Sequence, residues 1–123
     1  MQFDNTNKPT GVRRVFLAFN NTLKGFWWMC KNEAAFKQEV ALTIVLILVT
    51  FILNISLIEQ AILISTLLGV LLVETINTAI EAVVDRIGLE IHPLSGLAKD
   101  LGSAAVFLSL TITFIIWGAI LWH

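Results

Sequence analysis

Residues 61–88 read AILISTLLGVLLVETINTAIEAVVDRIG. The opening block, Ala61 to Val73, is uncharged. A helix needs roughly 20 mostly apolar residues to cross the hydrocarbon of a bilayer, so this block is too short by itself. It becomes long enough if one helix continues through Glu74 and Glu81 to about Ile87. On such a helix Glu74, Asn77, Glu81 and Asp85 fall within about 80° of one another, at 100° per residue. One face of an otherwise apolar helix then carries three carboxylates and a carboxamide. A charge in hydrocarbon costs at least a few kcal/mol, so the stripe must meet protein, water or a cation. Three adjacent carboxylates also repel, which implies protonation or a bound cation. A hard divalent ion such as Mg2+ suits oxygen ligands and carries substrate phosphates with it. A polar staple between helices, or a proton or cation path, would use the same stripe.

Two further apolar blocks flank this one. Val40 to Ile58 is nineteen residues without a charge, and Leu101 to Trp122 is twenty-two more. The whole chain of 123 residues is 57% apolar and 14% charged, with a mean hydropathy of +0.84. Soluble domains are about half apolar and about a quarter charged. Neither flanking block holds the charges that a soluble helix places on its wet face, so the expected class is an all-α integral membrane protein rather than a soluble bundle. No cleavable signal peptide is expected, since no apolar core precedes Val40. The single Cys30 has no partner for an internal disulfide and no ligand neighbours.

The basic residues orient the spans. Lys8, Arg13, Arg14, Lys24, Lys31 and Lys37 precede the first block, and Arg86 and Lys99 flank the link between the second and third. The link near Asn54 to Gln60 has no basic residue, and neither does the C-terminal tail. The positive-inside rule therefore places the N-terminus and the second link in the cytoplasm and the C-terminus outside. Three spans satisfy this alternation, with expected bounds 33–58, 61–87 and 97–122. Trp117 and Trp122 then fall near the outer interface. Ahead of the spans, residues 11–28 set Val12, Val15, Phe16 and Phe19 near one face, with Arg13, Arg14 and Asn20 elsewhere. This predicts an amphipathic helix lying in the cytoplasmic interface, its start marked by Pro9 and Gly11. A plain basic juxtamembrane tail is the simpler alternative. A second helix is expected to begin near Asn32 or Glu33 and run unbroken into the first span.

The second link, residues 88–100, is short and polar. Pro93 and Gly96 are expected to stop the helices there and Ser95 to cap the third span. Lys99 and Asp100 stand in its first turns, near Asp85 and Glu81 in depth. A lysine beside acids at a helix start suits a phosphate, although a snorkelling anchor would look the same. Glu33 lies beside the small Ala34 and Ala35, which allow another helix to approach. Gln38 and Glu39, about one turn on, are candidate polar contacts. No nucleotide-binding GxxxxGK[ST] or kinase GxGxxG loop is present, and His92 and His123 leave no Ser-His-acid arrangement.

Three stretches carry a resemblance: NEAAFKQE at 32–39, ETINTAIEAVVDRIG at 74–88 and HPLSGLAKDLGSAA at 92–105. The chain resembles the bacterial integral-membrane diacylglycerol kinases from about Gly11 to Trp122. The resemblance implies a homotrimer of subunits with three transmembrane helices and one surface helix, sharing active sites between subunits. It implies transfer of phosphate from ATP to a lipid hydroxyl at the cytoplasmic face of the bacterial inner membrane, with no nucleic-acid partner. Carried over by motif, Glu74 is the general base, and Glu33 and Glu81 are the Mg2+-binding carboxylates. Asn77, Lys99 and Asp100 shape the active centre, with Lys99 on the transferred phosphate. Gln38, Glu39, Asp85 and His92 match positions near the nucleotide, and Arg14 one near the headgroup or phosphates. Leu97 departs from the pattern, which often has a basic residue there, and Pro93 is a loop variant. The same architecture resembles undecaprenol kinases. Asp85 to Gly88, with Glu90 and His92, looks closer to the diacylglycerol branch. A transport subunit and a purely structural membrane protein are the rival functions.

Overall fold

The computed structural model describes residues 10–122, and they form four α-helices. The helices are α1 (Gly11–Asn32), α2 (Ala34–Thr50), α3 (Leu57–Ile87) and α4 (Pro93–Leu121). Pro9, expected to help start the first helix, lies outside the described residues. The chain divides into two units, one ending at Lys37 and one beginning at Gln38.

In the first unit α1 runs to Asn32, beyond the expected end at 28. Gly11 opens it at φ +67°, a backbone conformation that glycine adopts without a Cβ penalty. Val12, Val15, Phe16, Phe19, Leu23, Phe26 and Trp27 are all exposed. At 100° per residue they share an arc of about 120°. Arg13, Arg14, Lys24 and Lys31 lie outside that arc, so α1 is amphipathic with an uncovered apolar face. Glu33 interrupts the helical path. Its backbone is extended (φ −113°, ψ 101°) and its N–H donates to Met29 O. α2 therefore starts at Ala34, after a one-residue break.

In the second unit α2 ends at Thr50, well short of the expected 58. Ser56 supplies the physical reason. Its hydroxyl accepts from the Glu59 N–H at 3.1 Å, and Glu59 Oε1 accepts from the Ser56 N–H at 3.0 Å. This reciprocal capping box satisfies two of the orphan donors at a helix start, so Ile58 belongs to α3. Thr50, buried, accepts from Gln60 Nε2 at 3.1 Å and ties the end of α2 to the start of α3.

α3 continues unbroken through Glu74, Glu81 and Asp85. Its 31 residues reach about 46 Å at about 1.5 Å per residue, against roughly 30 Å of hydrocarbon. α3 and α4 pack against each other, and their contacts run antiparallel. Thr66 meets Thr113 and Trp117, Asn77 meets Gly102, and Asp85 meets Lys99. Leu63, Leu67 and Val70, at helical spacing, supply the buried side of α3. Both helices are long and apolar enough to cross a membrane. Their outer faces expose Leu68, Leu72, Phe107, Phe114 and Ile115, as a helix facing lipid or a further apolar surface does.

α4 starts at Pro93 rather than at 97, and Ser95 is not its cap. Proline fixes φ for a first helical position and lacks the N–H that would be orphaned there. The cap therefore falls on the residue before it, His92, whose Nδ1 accepts from the Leu94 N–H at 3.1 Å. Ser95 and Gly96 lie inside the helix.

Candidate active site

The α3 stripe predicted from spacing is real as geometry. Glu74, Asn77 and Glu81 are half-buried, and Asp85, one turn further, is exposed. Asn77 Nδ2 donates to Glu81 Oε1 at 3.3 Å. A carboxylate only accepts, so the NH2 side of the amide must face Glu81 and the carbonyl must face away. That carbonyl, Asn77 Oδ1, is buried without a hydrogen bond and points at Gly102 of α4. Across from α3, the Glu39 carboxyl on α2 stands against Glu74, close enough for their charges to interact. Glu39 Oε2 is buried with no hydrogen-bond partner. Two carboxyls so placed repel unless a proton or a cation comes between them.

An apolar groove of about 300 Å³ begins at Glu39. Leu42 and Leu46 of α2, Leu67 and Val70 of α3, and Leu110, Phe114 and Trp117 of α4 line it. Toward the other end of α3, Lys99 Nζ and Asp85 Oδ1 form an ion pair at 2.9 Å, both side chains about half exposed. Exposed pairs of this kind contribute about 0–1 kcal/mol, so stability gives little reason for it. The pair borders a cleft of about 280 Å³ lined by Gly88, Glu90, His92, Ser95 and Gly96. His92 Nδ1 is occupied as the α4 cap.

Among the described residues, no three His, Cys, Asp or Glu side chains cluster so as to hold a metal alone. Mg2+ does not require such a cage. It keeps several waters and uses one or two carboxylates together with substrate phosphates. Glu81 suits that role, because Asn77 fixes one of its oxygens and leaves Oε2 available.

Residues 20–121 match the family described as prokaryotic diacylglycerol kinase. The chain is 49% identical to a diacylglycerol kinase of Pseudomonas aeruginosa over 112 residues, 91% of each chain. Identity is 46% with that of Haemophilus influenzae over 114 residues, 93% of this chain and 97% of the relative. It is 43% with that of Escherichia coli K12 over 116 residues, 94% and 95%. The chain belongs to the prokaryotic diacylglycerol kinase family.

Measured against the residues that the diacylglycerol kinase resemblance singled out, the second unit brings together Glu39 with Glu74, Asn77 with Glu81, and Asp85 with Lys99. Gln38 and Asp100 are exposed, with neither a hydrogen bond nor an ion pair from their side chains. In the first unit Glu33 sits at the break after α1, half-buried, and Arg14 is exposed on α1. Sequence reasoning did not find Gly102. It stood within a quoted motif, but nothing local marks a glycine whose importance is what crosses over it.

Proposed function

We infer that the chain phosphorylates diacylglycerol with ATP, giving phosphatidic acid at the cytoplasmic face of a bacterial inner membrane. The observation that carries this is the match to diacylglycerol kinases over nearly the whole chain. The apolar groove that ends at Glu39, whose carboxyl stands beside Glu74, supports it, because it offers a lipid tail a wall that leads toward those carboxyls. Glu74 accepts the proton as the hydroxyl oxygen bonds to the γ-phosphorus of ATP and the bond to the ADP oxygen breaks. General-base help of this kind is worth about 10²–10⁴-fold. Lys99, paired with Asp85 at rest, turns to the transferred phosphate, a charge that a lysine meets as a point cation. Asn77 holds the Glu81 carboxylate in place. Glu33 and Glu81 would hold Mg2+, which would supply charge neutralisation for phosphoryl transfer. Gln38, Glu39, Asp85 and His92 border the nucleotide, Asp100 helps shape the centre, and Arg14 faces headgroup or phosphate.

The working unit is a homotrimer with shared sites. α2, α3 and α4 each span the membrane, α1 lies in the cytoplasmic interface on its apolar face, and the C-terminus is periplasmic. The apolar run of α2, the exposed faces of α3 and α4, and the bias of Lys and Arg toward one side support this arrangement.

Purified protein with ATP, Mg2+ and a panel of lipid alcohols in mixed micelles tests the reading. Diacylglycerol is expected to give the highest kcat/KM. A value at least tenfold higher for undecaprenol would overturn the substrate while leaving the chemistry in place. No phosphorylation of any lipid alcohol would return the stripe to a transport or structural role.

A further inference from the structure

We propose that Gly102 is a positioning residue: its bare backbone seats the Asn77 carboxamide, and through Asn77 it aims the Glu81 carboxylate. The proposal rests on the reading of Glu81 given above, but the seat itself is a matter of geometry. Gly102 is the buried residue of α4 among those described. A Cβ at this position would overlap Asn77 Oδ1 and stand 3.2 Å from Asn77 Cγ. At Gly69, Gly96 and Gly118 an added Cβ meets nothing within 4 Å. Glycine is among the poorest helix formers, so alanine would favour α4 at position 102 if nothing lay across it. What lies across it is the carbonyl end of one side chain.

The amide cannot simply turn away. Its NH2 is committed to Glu81 Oε1, and rotation would set carbonyl oxygen against carboxylate oxygen. The Cβ direction at a glycine is one of its Cα–H bonds, so that C–H faces Oδ1 and offers the weak contact that a carbonyl accepts. Oδ1 has no other hydrogen bond. α4 thus fixes the amide from one side and Glu81 from the other. Gly102 acts on the site without touching lipid or nucleotide. Groups that orient a metal-binding carboxylate commonly matter about 10–100-fold in metal affinity or activity.

The test uses the full chain in detergent as wild type, Asn77→Ala, Gly102→Ala and the double variant. Gly102→Ala is expected to lower turnover and raise the Mg2+ concentration for half-maximal activity, each about 10–100-fold, approaching Asn77→Ala. In the Asn77→Ala background the added methyl finds the vacated space and should change both by less than about twofold, the non-additivity of groups in contact. In EDTA, without nucleotide or metal, the side-chain NH2 resonance of Asn77 should shift in Gly102→Ala. Wild-type turnover, Mg2+ dependence and Asn77 resonance in Gly102→Ala would overturn the proposal. So would an equal penalty in both backgrounds, which means backbone crowding unrelated to Asn77. Should Gly102→Ala fail to fold, a double variant that folds with Asn77→Ala activity supports the seat, and one that also fails overturns it. Glu81→Gln serves as the separate control. If it leaves the Mg2+ dependence unchanged, the metal role of Glu81 fails, while the EDTA resonance still decides on Gly102.

Discussion

The pair α3 and α4 is joined by polar side chains at two levels, in opposite ways. Far from the carboxylates, Trp117 Nε1 donates to Thr66 Oγ1 at 2.9 Å, and Thr66 Oγ1 donates to Leu63 O at 2.7 Å. Thr113 and Ser109 return their hydroxyl protons to the backbone of their own helix, at 2.8 and 2.7 Å. Each donor there has an acceptor, and no group is charged. At the other level Asn77 Oδ1 of α3 accepts no conventional hydrogen bond, and the half-exposed Asp85–Lys99 ion pair stands further along the same two helices. Within a membrane an unmatched polar atom is costly. The first arrangement is complete as a folded structure. The second keeps a carbonyl and a charged pair open to further groups.

The contrast is broken most severely at Glu74. Glu74→Gln keeps the shape and removes the proposed base, so turnover should fall about 10²–10⁴-fold with thermal stability close to wild type. Near-normal turnover of the folded variant would remove Glu74 from the mechanism. Mixing it with Glu33→Gln sharpens the point, since recovered activity in mixed oligomers requires that the two residues serve one site from different subunits.

Lys99→Met comes next. Its ion pair with Asp85 is exposed, so the melting temperature should move little. Loss of a cation from the transferred phosphate should cost about 10²–10³-fold in turnover, the scale for one electrostatic stabiliser. A variant that melts lower and keeps its rate would mark Lys99 as structural.

Trp117→Phe gives the smallest effect and completes the comparison. It deletes one matched hydrogen bond, worth about 0.6 kcal/mol between membrane helices. Unfolding in mixed micelles should show that loss with kcat unchanged, any effect of Trp117 as part of the groove wall falling on KM. A large drop in rate would mean that this level is not merely a tie.

The chain reveals some of this directly. The spacing of Glu74, Asn77, Glu81 and Asp85 needs only the helical period, so the stripe is readable before any packing is known. The end of α2 is not, because Val40 to Ile58 is apolar throughout and hydropathy contains no stop. The stop was written instead in Ser56 and Glu59, a three-residue spacing that is easily passed over inside an apolar run. Ser95 and His92 can both cap a helix, and Pro93 decides between them by fixing the first helical position. The bond from Trp117 to Thr66 and the approach of Asn77 to Gly102 depend on which faces of two helices meet. No window along the chain contains that information.

The capping box at Ser56 has a further consequence for α3. From Leu57 to Glu74 the unbroken helix covers about 26 Å at about 1.5 Å per residue, nearly the thickness of the hydrocarbon layer. In the proposed topology, with that polar start at the opposite surface, the helix would work as a gauge. The height of Glu74, the proposed base, would be referenced to the far leaflet and not to the headgroups. A thicker or thinner bilayer therefore slides lipid hydroxyls past Glu74 unless the helix tilts to compensate.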